Sequence, residues 1–292
     1  MTRKYYMKKI DWSKHFVKIK DKIVNLDTNL YIIKFLNKQD DVKPLQLDQR
    51  GTSENTTESF KTFRQSRIMG GTEAPKHSYP WQAALVVDRI LLCGGSLISE
   101  YYVLTAGSCT SQAKKMLVIL GAHYIDQAEY TTQKIWSASV TTHPDYRDSF
   151  TGRVNDIGVV LLSTPATLNS YVRVVPLANS RSGSFNSVSA TLSGWGATSY
   201  FSSRISSALR TVKLTTTRNI ICQILADFTI IRSTNICTYG CGGWAGDTGG
   251  ALISNGVQIG IFSSGGICAL AMPSIFTRVS EYEDWIYYNT DI

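Results

Sequence analysis

The sequence has no run approaching the ~18 consecutive apolar residues of a membrane-spanning helix, so it offers no candidate span of that kind. It has no CxxC pair and no close cluster of cysteine with histidine, which removes the common structural zinc patterns. No metal or other cofactor is expected. Cysteine is absent from residues 1–67, and histidine is scarce throughout, limited to His15, His77, His123 and His143. A secretory leader is also missing from the start, MTRKYYMKKIDWSKHF, because Asp11, Lys14 and His15 break the apolar run that a leader needs.

What is present points to a packed, exported domain. Hydrophobic residues make up 43% of the 292 and aromatics 11%, enough for a sizeable core. The net charge of +8 is unevenly placed: residues 1–67 carry 15 Lys/Arg against 8 Asp/Glu, and the remainder carries 15 against 14. The basic character therefore belongs to the N-terminal segment, and no nucleic-acid partner is expected for the main domain. The six cysteines, Cys93, Cys109, Cys222, Cys237, Cys241 and Cys268, all lie beyond residue 67. An even number confined to one region implies three disulfides and an oxidising, extracellular location. The missing leader conflicts with this, and a misassigned start codon is the expected cause.

Residues 1–40 are Lys-rich. Phe16, Ile19, Ile23, Leu26, Leu30 and Ile33 follow steps of three and four, which predicts a short amphipathic helix, although Val17, Val24, Ile32 and Phe35 blur the stripe. Residues 41–66 are polar and read as a flexible linker, with Asn55-Thr56-Thr57 as a glycosylation sequon. The expected division is a poorly ordered, propeptide-like segment, 1–67, ahead of a folded domain, 68–292. From Arg67 on, short β-rich runs such as Ala83–Val87, Leu117–Leu120, Val159–Leu162, Ser189–Leu192 and Val257–Phe262 alternate with Gly, Ser, Asn and Pro. That texture predicts an all-β sandwich or barrel. Glu281–Tyr288 predicts a short terminal helix with Tyr282, Trp285 and Ile286 on one face.

Several motifs then occur in order: Arg67-Ile68-Met69-Gly70-Gly71, Tyr79-Pro80-Trp81-Gln82, Cys93-Gly94-Gly95-Ser96-Leu97-Ile98, Leu104-Thr105-Ala106-Gly107-Ser108-Cys109, Asn155-Asp156-Ile157, Ser193-Gly194-Trp195-Gly196 and Gly246-Asp247-Thr248-Gly249-Gly250. Together, across about residues 67–288, they resemble the trypsin/chymotrypsin-like serine proteases. The resemblance implies two six-stranded antiparallel β-barrels with a short C-terminal helix. It implies the pairings Cys93–Cys109, Cys222–Cys237 and Cys241–Cys268, the last with a departure, because Trp244 stands where the family has its cysteine. It also implies an activation site at Arg67-Ile68, whose freed α-amino group would pair with Asp247.

The same resemblance exposes what is lost. Acyl transfer in this family needs a hydroxyl nucleophile, an imidazole to take its proton and a carboxylate to orient the imidazole. Asp156 supplies the carboxylate. Ser108 stands where the histidine belongs, and Thr248, β-branched and stiff, replaces the serine. His123 and His143 fall in segments where the family carries surface histidines. The backbone N–H groups of Gly246 and Thr248 are the expected oxyanion hole. No acidic residue lies near Gly242 or Gly243, so a Lys/Arg preference is not expected; Ser263, Ser264, Gly265 and Ser274 are candidate pocket walls. The expected protein is a monomeric, non-catalytic protease homologue that binds protein or peptide ligands, an active protease or inhibitor among them. A residual serine endopeptidase with a substitute base is the alternative.

Overall fold

A computed structural model of the chain describes residues 16–19, 22–25, 71–197, 204–226, 229–239, 242–243, 246–265 and 272–292. By its packing the chain divides into two compact units, residues 1–61 and 62–292.

In the first unit, β1 (Phe16–Ile19) pairs antiparallel with β2 (Lys22–Asn25), with Ile19 opposite Lys22. This corrects the expectation of a helix across these residues. Phe16, Ile19 and Ile23 do fit helical spacing, but the segment also carries Val17, Ile19, Ile23 and Val24, whose branching at Cβ favours extended backbone. The rest of the expected poorly ordered segment lies outside the described residues.

The second unit begins with a short strand, β3 (Thr72–Glu73). Strands β4 (Gln82–Val87), β5 (Leu91–Leu97), β6 (Tyr102–Thr105), β7 (Met116–Leu120) and β8 (Gln133–Thr142) follow. A hairpin of β9 (Arg147–Ser149) and β10 (Gly152–Val154) then leads to β11 (Gly158–Leu162), which pairs with both β6 and β8 and closes a six-stranded antiparallel barrel. The period-two alternation of strands assigns its faces. Ala83, Leu85 and Val87 of β4 and Met116, Val118 and Leu120 of β7 join one core cluster. Ala84 and Val86, with Leu117 and Ile119, pack outward with Trp195 instead.

The second barrel is built from β12 (Ser189–Gly194), β13 (Arg210–Thr217), β14 (Asn235–Tyr239), β15 (Ala251–Ser254), β16 (Val257–Ser264) and β17 (Ser274–Arg278). The β12–β13 pairing closes the order β12-β15-β16-β17-β14-β13, and β3 adds to the outer side of β13. Leu192, Leu214, Ile236, Leu252, Ile259, Phe262 and Phe276 fill it. The two barrels meet through buried polar pairs: Ser96 donates to Gln258 at 2.6 Å and Ser193 to Gln82 at 2.6 Å. Buried side-chain amides are tolerable only with such partners.

Three short helices complete the described structure: α1 (Gly107–Thr110), α2 (Asn219–Leu225) and α3 (Glu283–Asn289). The last follows a 3₁₀ turn and places Tyr282 and Ile286, both nearly fully buried, against the first barrel, as their spacing predicts. No described helix is long and apolar enough to cross a membrane.

Candidate functional site

The junction of the barrels brings Ser108 and Asp156 together, and Thr248 lies on a turn bonded to Gly94 of the first barrel. β6 ends at Thr105, and α1 starts two residues later with Ser108 in its first turn. Backbone N–H groups in a helix's first turn have no intrahelical partner. Asp156 answers this one: its Oδ1 accepts the Ser108 N–H at 2.6 Å, while the Ser108 hydroxyl donates to Oδ2 at 3.3 Å. The Asp156 side chain is set by Asn155, which adopts φ +51°, a conformation that Asn tolerates better than most residues. Asn155 is pinned in turn, accepting from the Tyr282 hydroxyl at 2.8 Å and donating to the Asp145 carbonyl at 3.1 Å.

The opposite barrel contributes Ser263. A register shift between Phe262 and Ser264, where β16 runs beside β17, makes Ser263 the extra residue of a bulge, and bulges re-aim side chains. Its hydroxyl donates to Asp156 Oδ2 at 2.5 Å. The fourth group on the carboxylate is Arg153 from β10. Its Nη1 lies 3.8 Å from Oδ2 and donates to the Ser263 carbonyl at 2.5 Å, while its Nε donates to Asp148 at 3.2 Å. Burial pushes the Asp156 carboxyl above the usual range, opposed by Arg153 and by the bonds from Ser263 and Ser108.

The Asp156 carboxylate thus accepts two bonds from Ser108 and one from Ser263, with the Arg153 guanidinium 3.8 Å away. Among the described residues no histidine hydrogen-bonds Ser108, Asp156 or Thr248. His123 is fully buried, which corrects its reading as a surface residue: Nε2 bonds Glu73 at 3.0 Å, and its carbonyl accepts the Trp195 indole N–H at 3.0 Å. His143 stacks near Trp285 and Tyr282, with ring centroids 5.4 and 5.6 Å away. His15 lies outside the described residues. Tyr146 is a further titratable hydroxyl whose surroundings include Asp156, Arg153 and Ser108. Burial and then the charge of Asp156 push its pKa well above the usual phenol range.

Thr248 sits between Asp247 and Gly249 on a turn tied into both barrels. Its carbonyl accepts from Gly94 N–H at 2.7 Å, Gly249 donates to the Phe262 carbonyl at 2.8 Å, and Phe262 donates to the Gly250 carbonyl at 2.8 Å. Gly246 enters the turn at φ +98°, which glycine alone adopts without strain. Among the described residues, nothing accepts the N–H of Gly246 or Thr248 or bonds the Thr248 hydroxyl. Asp247 is buried and accepts the Gly196 N–H at 2.8 Å. Arg67 and Ile68 of the expected activation site lie outside the described residues.

This two-barrel scaffold is matched by the family model for trypsin over residues 68–286. The chain belongs to the trypsin family of serine proteases. It is 40% identical over 230 residues to brachyurin from Leptuca pugilator, covering 77% of this chain and 99% of that protein. It is 36% identical over 232 residues to a chymotrypsin from Phaedon cochleariae, covering 77% and 82%. A solved structure described as "Structure of GrC" superposes with a TM-score of 0.68 at 30% identity, over 75% of this chain and 98% of that one.

Within the trypsin-family domain, Cys93–Cys109 and Cys222–Cys237 are bonded, with Cα atoms 6.4 and 6.1 Å apart. Cys241 and Cys268 lie outside the described residues, as does Trp244. Ser274, expected on a pocket wall, is fully buried and accepts the Gly242 N–H at 3.0 Å. Ser263 was expected on the same wall, but its hydroxyl turns to Asp156. Sequence reasoning missed Arg153 and Tyr146. Arg153 stands three residues before Asp156, yet no spacing rule says that a β-hairpin will fold its guanidinium back across the site. Among the described residues no group of three His, Cys, Asp or Glu side chains gathers to hold a metal.

Proposed function

We propose that this trypsin-family chain is a non-catalytic homologue that holds polypeptide in its cleft, serving as a binding or regulatory module for an active protease or its inhibitor. The observation that carries this reading is the filled environment of Asp156, where Ser108, Ser263 and Arg153 take the positions around the carboxylate and no described imidazole touches it. Loss of the histidine or the nucleophile of a triad costs on the order of 10⁶ in turnover, about 8 kcal/mol of barrier. The two replacements act on one unit, so the second adds little.

On this reading residues 1–67 form a propeptide-like segment. Cleavage after Arg67 would free the α-amino group of Ile68 to pair with Asp247. The chain would act as an exported monomer, its two described disulfides suiting an oxidising compartment. Residual endopeptidase activity is favoured by one observation: among the described residues nothing accepts the N–H groups of Gly246 and Thr248, as an oxyanion hole requires. A randomised peptide library separates the two, read by fluorescence anisotropy for binding and by mass spectrometry for cleavage. The binding role predicts saturable capture of intact peptides. Peptides recovered cut, with cutting lost in Thr248→Ala, would establish the enzyme instead, and no capture at all would sink the binding role.

A further inference from the structure

Phe262, the residue before Ser263, packs its side chain into the second barrel's core cluster while its backbone runs beside the Thr248 turn. Phe262 is held there by backbone bonds to both flanks of the turn, donating to Gly250 and accepting from Gly249, each at 2.8 Å. Its ring is 1% exposed. The two backbone segments expected to wall a side-chain pocket, at Gly243 and at Gly265, close on this ring. A methyl built on Gly243 would lie 2.7 Å from both Cε1 and Cζ of Phe262, and one built on Gly265 would lie 3.3 Å from Cζ. The walls also meet each other, since that Gly265 methyl would stand 2.6 Å from the Gly243 carbonyl oxygen. Each of these separations is below ordinary van der Waals contact. The ring fills the gap, and the glycines are what let the walls approach it.

Phe262 cannot swing clear at low cost. Phe276 packs edge-on against it, centroids 5.4 Å apart at 62°, and Leu192 closes on Gly243 from the other side. Gly242, next along the wall, is tied to Ser274. Moving a well-packed aromatic would open a cavity and displace its neighbours, a cost of the order that core truncations show.

We infer that Phe262 is the specificity-determining residue of this cleft: it occupies the side-chain pocket itself, so the bound polypeptide presents glycine there and larger side chains are refused. The inference rests on the binding role proposed above only for its peptide; the filled pocket stands on its own geometry. A ligand on this surface is then recognised through its main chain.

Two measurements test this. The first uses indole and benzamidine as probes of the pocket alone, followed by ligand-observed NMR on the full chain and on Phe262→Val. The unmodified protein should bind neither, and Phe262→Val should bind indole in the millimolar range. Equal indole binding by both proteins, or none by a folded Phe262→Val, overturns the inference. The second needs no variant: peptides identical except for Gly, Ala, Phe or Lys at the pocket position are titrated into the unmodified protein. Glycine should bind about 10-fold or more tightly than phenylalanine, and a phenylalanine or lysine preference refutes the plug. If no peptide binds while Phe262→Val gains indole, the binding role fails and the filled pocket is upheld.

Discussion

Replacing Arg153 with Met tests whether this guanidinium is the counter-ion of Asp156. At the observed separation of 3.8 Å, two unit charges in an effective dielectric of about 20 attract by about 4 kcal/mol. The Arg153 side chain is 29% exposed whereas that of Asp156 is 1% exposed. Part of the attraction is therefore screened at the arginine end, and the Ser108 and Ser263 bonds survive. Breaking a buried pair from one side leaves the other charge stranded, so Arg153→Met should lose about 3 kcal/mol. For a domain of this size that lowers Tm by about 6–12 °C. In an Asp156→Asn background the stranded charge is gone, and what remains to be lost is the bond from Arg153 to the Ser263 carbonyl and the exposed pair with Asp148, together about 1 kcal/mol. Urea denaturation of the four proteins in this cycle gives the coupling directly, expected at about 2 kcal/mol. The same cost in both backgrounds, or a single-variant cost below about 0.5 kcal/mol, would refute Arg153 as the partner of Asp156.

Further expectations follow from the same contacts. Partial burial lowers the His143 pKa below its ordinary 6.5, so its contribution is present above that value and is lost as pH falls below it; urea stability at pH ~7.5 and ~5 should differ less in His143→Gln than in the parent. Removing the Cys93–Cys109 bridge, which spans 16 residues, should cost about 3 kcal/mol in guanidinium unfolding under non-reducing conditions. Gly196→Ala should cost about 2 kcal/mol, because the new methyl would press on the buried Asp247 carboxylate, and thermal unfolding reads the loss.

The legible parts of the sequence were those with local causes. The short apolar runs Ala83–Val87 and Leu117–Leu120, set between turn residues, mark strands, and both faces are buried because one lines a barrel and the other meets Trp195. The pairing of Cys93 with Cys109 and of Cys222 with Cys237 came through resemblance and is present. The stripe from Phe16 to Ile33 fits a helical period, yet its first part pairs as strands at 16–19 and 22–25, where the branched side chains favour extended backbone. Tertiary approach alone decides the rest. The bulge that turns Ser263 to Asp156, the hairpin that folds Arg153 across the carboxylate and the walls that close on Phe262 leave no periodic trace. The burial of His123 is likewise a product of tertiary approach, and its ring partner Glu73 lies fifty residues earlier in the chain.

The central claim is that no group at this site can activate Thr248. The most direct measurement is labelling by a serine-directed fluorophosphonate, together with hydrolysis of a mixed peptide library, using protein cleaved at Arg67–Ile68 and its Thr248→Ala variant side by side. The account predicts no labelling and no hydrolysis by the parent beyond the level of Thr248→Ala. Stoichiometric labelling and library cleavage by the parent, both abolished by Thr248→Ala, would contradict it.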